Sequence, residues 1–178
     1  MEYHNSNQGE DDLHIRWSIR RDLPSILDIE NKSFENPLDK DAFCYYLSQN
    51  NIVSMVIEKD LNEILGFMVY KLDKQRLGLV DFAVHPDFRR QGVGRCMMHK
   101  LKSKLSGGRR KKIISDVRES NLEGQLFLKD QGFKARFIMG NYYEDTAEDA
   151  YVMSYTYEKL MNPANRVSEY FSKSNKEI

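Results

Sequence analysis

A glycine turn between a strand-like and a helix-like segment constrains this chain more than any other feature. Residues 89–95 read RRQGVGR; the apolar stretch LGLVDFAVHP precedes them and apolar residues with helical spacing follow. Gly92 and Gly94 let the backbone approach a ligand and adopt dihedral angles that are closed to other residues. A turn that opens a helix also gathers unpaired backbone N–H groups where the helix dipole adds about half a positive charge. With three arginines beside it, the turn predicts a phosphate-binding site. A surface turn with solvated cations is the alternative.

The kind of phosphate ligand is restricted by what the turn lacks. A P-loop needs Lys and then Ser or Thr after its second glycine, and a dinucleotide fingerprint needs a third glycine. Neither pattern is present in residues 89–95. ATP and NAD are therefore disfavoured as ligands.

Composition indicates one domain without a charge-driven partner. The chain has 178 residues, 40% of them hydrophobic, which suits one domain with a substantial core. Lys+Arg and Asp+Glu both number 27, so no net charge draws the protein to nucleic acid or to an anionic membrane. Cys44 and Cys96 lack CxxC spacing and the histidines lack metal-ligand spacing, so neither a disulfide framework nor a metal site is expected. The polar N-terminus has no signal-peptide features, and we expect a cytoplasmic protein.

Hydrophobic periodicity predicts the order β-α-α-β-β-β-α-β-α-β-β within one domain over residues 13–160. Residues 1–12 are expected to be a disordered acidic arm, because they carry no apolar periodicity. Residues 161–178 form a polar tail that could be helical. The alternation in the first strand predicts a buried face made of Ile15, Trp17 and Ile19, and Asp22 is expected to cap the first helix.

Two later helices also have predicted ends and faces. The helix after the glycine turn should stop at the glycines 107 and 108, with one apolar face formed by Val93, Met97, Leu101 and Leu105. In the next helix, Ser120 and Glu123 have the spacing of a capping box. Its apolar face is expected to consist of Leu122, Leu126 and Phe127.

The stretch VHPDFRRQGVGR resembles the R/Q-x-x-G-x-G/A signature of the GCN5-related N-acetyltransferase (GNAT) superfamily. The predicted order of elements is similar to the order in that superfamily, over roughly residues 15–157. FAVHPDFRRQGVGR, VRESN, GF and NYYED...EDAYVM follow one another as in the RimI-type protein N-terminal acetyltransferases. The resemblance implies an α/β GNAT fold, with a mixed and mostly antiparallel central sheet flanked by helices, and acetyl-CoA as the acetyl donor without a metal.

The resemblance also implies which residues hold acetyl-CoA. Backbone groups of Phe82, Ala83 and Val84 would bind the pantetheine arm as an added strand would, unless they are ordinary core strand. Asn121 would hydrogen-bond the pantetheine side, unless it is only a helix cap. The pyrophosphate would be wrapped by the turn residues Arg89, Arg90, Gln91, Gly92, Val93, Gly94 and Arg95.

Catalytic roles follow from the same resemblance, with two departures. The backbone N–H of Val84 is the candidate donor to the oxyanion. The family's base is a glutamate in EVR, whereas this chain has DVR, so Asp116 would act through a water or be a plain strand-end carboxylate. The family's acid is a tyrosine where this chain has Leu128. Either no acid is used, or Tyr142, Tyr143 or another hydroxyl replaces it, or the protein is a silent CoA-binding module.

The acceptor is expected to be the α-amino group of a protein or peptide, a ribosomal protein among the candidates. An α-amino group has a pKa of roughly 7.7 to 8.0, so deprotonating it costs about 1 kcal/mol near neutral pH, against about 4 for lysine. In similar enzymes paired tyrosines, here Tyr142 and Tyr143, border the peptide groove. The opposite wall would be formed by Phe34, Glu35 and Leu38. The carboxylates near the tyrosines would attract a cationic terminus or form a solvated hairpin tip, and a small amine or polyamine is the alternative acceptor.

Overall fold

The structure is a computed structural model that describes residues 13–60 and 63–157. Seven strands form one sheet in the order β1-β2-β3-β4-β5-β7-β6. In chain order they are β1 Leu13–Trp17, β2 Ile52–Lys59, β3 Glu63–Leu72, β4 Arg76–Val84, β5 Lys112–Arg118, β6 Lys134–Tyr143 and β7 Glu148–Thr156. Neighbouring strands are antiparallel except β4 and β5, which are parallel. The expected arm and tail lie outside the described residues.

Four helices cover the two faces of the sheet: α1 Leu23–Ser33, α2 Lys40–Leu47, α3 Val93–Lys102 and α4 Leu122–Asp130. Apolar residues of α3 and α4, such as Met97, Leu101 and Leu128, pack on one face of the sheet. Residues of α1 and α2, such as Ile26 and Phe43, pack on the other face. The predicted order of elements and the mixed, mostly antiparallel sheet are confirmed.

The sheet divides in its middle. Strands β4 and β5 pair only from Arg76↔Lys112 to Leu79↔Ser115. Beyond Leu79, β4 stays paired with β3, whereas β5 stays paired with β7. A gap therefore opens between the carboxyl ends of β4 and β5, which we call the β4–β5 gap.

Two predictions about the N-terminal elements were wrong. Trp17 is 72% exposed and Ile19 is also exposed, because β1 is a short edge strand that pairs with β2 alone. Asp22 does not cap α1 with its side chain. Its carboxylate accepts a hydrogen bond from the Ile19 N–H at 2.8 Å and one from Arg16 at 2.6 Å, because a 3₁₀ turn precedes α1.

Two predictions about the later helices were also wrong in part. Helix α3 ends at Lys102, and Leu105, although buried, lies in the turn that follows. Asn121, not Ser120, caps α4: its Oδ1 accepts from the Gly124 N–H at 2.8 Å. Leu122 and Leu126 are 60% and 54% exposed, whereas Phe127 packs against the core as predicted. Helix α4 meets the sheet through Phe127, which stacks on Phe82, and through Leu128. No helix among the described residues is long and apolar enough to cross a membrane.

Candidate active site

The glycine turn leaves the start of α3 without a cap. Gly92 occupies the N-cap position with φ +87°, and no side chain of the described residues caps the helix. The first intrahelical bond of the turn runs from the Cys96 N–H to the Gly92 carbonyl at 2.9 Å. A Cβ at Gly92 would meet no atom within 4 Å. The backbone N–H groups of the first turn of α3 therefore point into open space, where an anion is stabilised by the helix dipole.

A cavity of about 500 Å³ adjoins this turn. Most of the residues predicted to bind acetyl-CoA line it, namely Phe82, Ala83, Val84, Arg89, Arg90, Gly92, Gly94, Arg95 and Asn121. The side chain of Gln91 instead donates to the Asp87 carbonyl at 2.9 Å, and the side chain of Val93 is buried in the core. These two residues can offer only backbone N–H groups to a ligand.

The three arginines of the turn divide into two kinds. Arg89 donates from Nε to the Val84 carbonyl at 3.1 Å and lies 3.6 Å from the Glu123 carboxylate. It thereby ties the turn to the end of β4. Arg90 and Arg95 are exposed, and neither makes an ion pair within the described part of the chain. Both cations can therefore meet phosphate oxygens.

The β4 edge of the gap presents backbone groups to a ligand. The His85 N–H donates to the Leu65 carbonyl at 2.8 Å, so the amide of His85 points towards β3. Amides alternate in direction along an antiparallel strand, so the amides of Phe82 and Val84 point into the β4–β5 gap. The amide of Ala83, opposite Phe67, is bonded to β3. Phe82 and Val84, but not Ala83, can thus bind the pantetheine arm through the backbone, and the Val84 N–H is free to meet an oxyanion.

Asn121 caps a helix and is also placed to bind a ligand, the two roles that the sequence analysis considered for it. Its Oδ1 caps α4, while the residue also lines both the large cavity and the gap. Its Nδ2 makes no hydrogen bond to the described residues and can donate to a ligand. These contacts, the unpaired N–H groups and the two exposed arginines fit the diphosphate and the amide-rich arm of coenzyme A.

The gap itself holds a cavity of about 160 Å³, and the predicted catalytic residues meet beside it. Asp116 and Tyr143 line this cavity. The Tyr142 hydroxyl donates to Asp116 Oδ2 at 3.3 Å, and the Tyr143 hydroxyl donates to the Asp116 backbone carbonyl at 3.2 Å. The two tyrosine rings pack edge to face with their centroids 5.1 Å apart. A carboxylate and two hydroxyls therefore form one cluster at the mouth of the gap.

Burial sets the protonation state of these tyrosines. Burial raises the pKa of Tyr143 to about 12. Burial, followed by the nearby charge of Asp116, also raises the pKa of Tyr142. Both hydroxyls are therefore neutral hydrogen-bond donors at neutral pH. Leu128 is 4% exposed and packs in the core, so its position supplies no hydroxyl to the gap that it lines.

Arg118 is a site residue that the sequence analysis did not identify. Its guanidinium lies 3.9 Å from the centre of the Tyr143 ring and pairs with Asp145 at 2.7 Å and Glu148 at 3.0 Å. Hydrogen bonds from Ser120 and then Arg118 lower the pKa of Glu148 to about 2. Arg118 follows Asp116 by two residues on the same strand, which was the signal for its position. Two carboxylates of the expected acidic rim are thus engaged in holding the hairpin that carries the tyrosines.

The wall opposite the tyrosines is only partly as predicted. Phe34, at the end of α1, lines both cavities. Leu38 is partly buried against the core between α1 and the sheet, and its N–H donates to Glu30 Oε1 at 2.9 Å. Glu35 is exposed and lines neither cavity, so the structure does not bring it to the gap. Residues 13–60 and 63–157 contain no cluster of side chains that could hold a metal ion.

The divided sheet, the uncapped helix and the two exposed arginines fit an enzyme that binds coenzyme A, and comparison with known families identifies the class. The sequence model of the acetyltransferase (GNAT) family matches residues 20–133. The chain therefore belongs to the GNAT family, and it is an acetyl-CoA-dependent N-acetyltransferase.

Named relatives and a solved structure agree with this family. A Bacillus subtilis protein named as a candidate ribosomal protein bS18-alanine N-acetyltransferase is 30% identical over 142 residues, covering 78% of this chain and 92% of that protein. The ribosomal protein bS18-alanine N-acetyltransferase of Escherichia coli K12 is 26% identical, covering 75% of this chain and 90% of the relative. The crystal structure of Ard1 from Thermoplasma volcanium superposes with a TM-score of 0.73 at 25% identity, covering 83% of this chain and 99% of that chain. The resemblance to the RimI-type enzymes is confirmed.

Proposed function

We propose that the protein transfers an acetyl group from acetyl-CoA to the α-amino group of a protein or peptide N-terminus. The observation that carries this proposal is the cluster of Asp116, Tyr142 and Tyr143 at the mouth of the gap. Asp116 and Tyr143 line the cavity of the gap, and this cavity shares Phe82 and Asn121 with the larger cavity that Val84 lines. The two bacterial relatives are named for acetylating an alanine of a ribosomal protein. An N-terminal alanine is therefore the first acceptor to test.

The Val84 N–H has the role of oxyanion donor in this proposal. Acetyl-CoA supplies a thioester whose carbonyl carbon an amine can attack. A donor aimed at the place where negative charge develops lowers the barrier to that attack. The Val84 amide points into the gap and is held there by the pairing of β4 with β3 and by the bond from Arg89 to the Val84 carbonyl.

Asp116 has the role of proton acceptor. Its side chain is exposed on β5, so a water can bridge it to an incoming ammonium group. Because an α-amino group has a pKa of roughly 7.7 to 8.0, removing its proton costs only about 1 kcal/mol near neutral pH. A weakly placed base thus suffices for a chain end, whereas lysine would require about 4 kcal/mol.

Neither alternative gains support from the site. A small polycation would need free carboxylates at the hairpin, but Asp145 and Glu148 are paired with Arg118. A silent CoA-binding module is motivated by Leu128 alone, whereas the candidate base Asp116 and both tyrosine hydroxyls are joined by hydrogen bonds beside the gap. The free thiols of Cys44 and Cys96 suit a reducing compartment, and a cytoplasmic location is part of the proposal.

Paired peptides test the acceptor. One peptide has a free N-terminal alanine and no lysine; the other has a blocked N-terminus and one lysine. Thiol release from acetyl-CoA gives the rate, and product mass identifies the acetylated position. We expect a rate on the free terminus at least tenfold above the rate on lysine. Equal rates would overturn the choice of acceptor, and an absence of thiol release with every amine would support the silent module.

A further inference from the structure

Two carboxyl groups meet on the α1 face of the sheet, and the proposed function uses neither. Glu30 of α1 is 2% exposed, and its Oε1 is held by the Leu38 N–H at 2.9 Å. Glu30 and Asp81 of β4 lie within hydrogen-bonding reach of each other. Glu30 Oε2 and Asp81 Oδ2 are buried and have no donor among the described residues. Burying two such oxygens is costly unless a proton lies between them.

The pair therefore holds a proton. Burial raises the pKa of Asp81, and the negative charge of Glu30 raises it further. Burial likewise raises the pKa of Glu30. Neither carboxyl has a salt bridge or hydrogen bond to a cation in the described part of the chain. Two adjacent carboxyls in such a site titrate as one unit, and the form that holds one proton and one negative charge between them is favoured over the doubly ionised form.

Asp81 connects this proton to the gap. Glu30 lies inside, against the sheet, whereas Asp81 is only half-buried and lines the β4–β5 cavity. The other titratable side chains that line this cavity are Asp116, Arg118 and Tyr143. The cavity is also bordered by Phe82, whose backbone N–H contributes a hydrogen bond to the Asp81 carboxylate, and by Leu128, which offers no proton. Asp81 thus connects the buried carboxyl pair to the cavity in which a thioester would have to react.

We propose that the Glu30–Asp81 pair delivers a proton to the sulfur of departing coenzyme A, a role that rests on the proposed function for its acceptor. As the new C–N bond forms and the C–S bond breaks, sulfur keeps the electron pair of the C–S bond and Asp81 gives it a proton. The ammonium group loses its first proton to Asp116 and then to solvent. The second proton, lost from nitrogen as the C–S bond breaks, restores the proton of the pair. The products are an amide, a thiol and one released proton.

The environments of the carboxyl groups suit Asp116 as a proton acceptor and the Glu30–Asp81 pair as a proton donor. Asp116 is exposed and accepts a hydrogen bond from Tyr142, which suits a carboxylate that accepts protons. Glu30 and Asp81 share a buried site that disfavours full ionisation, which suits a carboxyl that donates them. Carboxyl groups whose surroundings differ in this way commonly divide into acid and base within one active site.

An infrared measurement tests the shared proton without any acceptor. Difference spectra at pH 7 compare the wild-type protein with Asp81→Asn and, separately, with Glu30→Gln. We expect the carbonyl stretch of a protonated carboxyl in the wild type and its loss in both variants. Because no amine is present, this result does not depend on the proposed function. A wild-type spectrum without that band would overturn the proposal.

Steady-state kinetics test the proton transfer, using the acceptor that the paired peptides identify. If that acceptor is lysine, the proposed function is refuted, but this test of the proton transfer can still be made. Asp81→Asn should lower kcat by about 10²-fold with the KM for acetyl-CoA unchanged. It should also remove the fall of kcat at alkaline pH that the wild type shows when the pair loses its proton. The matched control is Asp28→Asn, which removes an exposed carboxylate of α1 that pairs with Lys32 and should leave kcat unchanged.

Two further measurements distinguish a loss of proton transfer from a loss of folding and from a purely structural role. Thermal unfolding of each variant shows whether it is folded, and Glu30→Gln, which keeps an acceptor for the Leu38 N–H, serves if Asp81→Asn does not fold. A kcat for the folded variants equal to that of the wild type would refute the inference. So would a lowered kcat whose alkaline limb is unchanged, since that pattern indicates a structural role alone.

Discussion

The two sides of the β4–β5 gap are built in different ways. The side that faces the glycine turn presents backbone groups, from Val84 and from the first turn of α3, in a conformation that Gly92 fixes at φ +87°. The opposite side presents side chains from distant parts of the chain, such as Asp116 and Tyr142, which are 26 residues apart. The first side depends on local backbone conformation. The second depends on how β4, β5 and β6 pack together.

This difference predicts that the two sides can be damaged separately. A change in the backbone of the turn should weaken binding of acetyl-CoA. A change in the side-chain cluster should slow the reaction or weaken peptide binding and leave acetyl-CoA binding intact. Each variant below is therefore measured for both acetyl-CoA Kd and peptide kinetics.

The largest effect is expected from Asp116→Asn, which removes the proton acceptor and keeps the shape of the side chain. We expect kcat to fall by about 10²-fold or more, and the Kd of acetyl-CoA, measured by calorimetry, to stay unchanged. The control is Glu144→Gln, which removes a carboxylate from the same hairpin as the tyrosines. A normal kcat in Asp116→Asn would exclude this residue as the base, and a weakened Kd would show that the two sides are coupled.

The next largest effect is expected from Gly92→Val on the other side of the gap. A β-branched residue at positive φ costs roughly 1–2 kcal/mol, and relaxation of the strain would turn the N–H groups of α3 away from the ligand. We expect the Kd of acetyl-CoA to rise about tenfold, with kcat at saturation close to normal. Gly107→Val is the matched control, because a Cβ at Gly107 also meets no atom within 4 Å and Gly107 lines neither cavity. An unchanged Kd in Gly92→Val would remove the turn from the binding site.

A smaller effect is expected from Arg118→Met, which keeps an extended side chain but loses the ion pairs with Asp145 and Glu148. The hairpin would then hold Tyr143 less firmly over Asp116. Because solvent screens these ion pairs, we expect only a modest effect, with the peptide KM rising about fivefold. Acetyl-CoA Kd should be unchanged, and a normal peptide KM would show that the hairpin is positioned without Arg118.

Arg118→Met also allows a test of how the free energy of unfolding depends on acidic pH. The pKa of Glu148 is lowered from 4.5 to about 2, so the folded state binds this proton less readily than the unfolded state. The stabilisation is complete above pH 4.5 and is lost as the pH falls towards 2. The free energy of unfolding, from urea titrations, should decline over this range more steeply in the wild type than in Arg118→Met. Parallel curves for the two proteins would contradict the role of Arg118 in lowering that pKa.

Sequence patterns predicted the backbone-built side better than the side made of side chains. The glycine turn is local, so its spacing indicated the positive φ at Gly92 and the open start of α3. Gly94 has no positive φ, and its lack of a side chain instead makes room for Phe127. Periodicity predicted that Leu122, Leu126 and Phe127 face the sheet, but only Phe127 does, together with Leu128. No sequence pattern singled out Glu30 or Asp81. Their meeting depends on how α1 packs on β4, which no local pattern encodes.

The smallest effect is expected from the double substitution Tyr142→Phe and Tyr143→Phe, which removes two hydroxyls and keeps both rings. A hydrogen bond typically contributes about 0.5–1.5 kcal/mol net, and the rings continue to pack on each other and under Arg118. We expect the peptide KM to rise about two- to fivefold.

This small change is the most discriminating for the comparison of the two sides. Tyr45→Phe, which removes the hydroxyl of an exposed tyrosine on α2, is the control and should leave the peptide KM unchanged. If the double variant changed the Kd of acetyl-CoA while its peptide KM stayed normal, the tyrosines would belong to the cofactor side. Because both hydroxyls point at Asp116 and not at the glycine turn, the geometry favours the opposite result, in which the donor binds normally and only the acceptor is held less well.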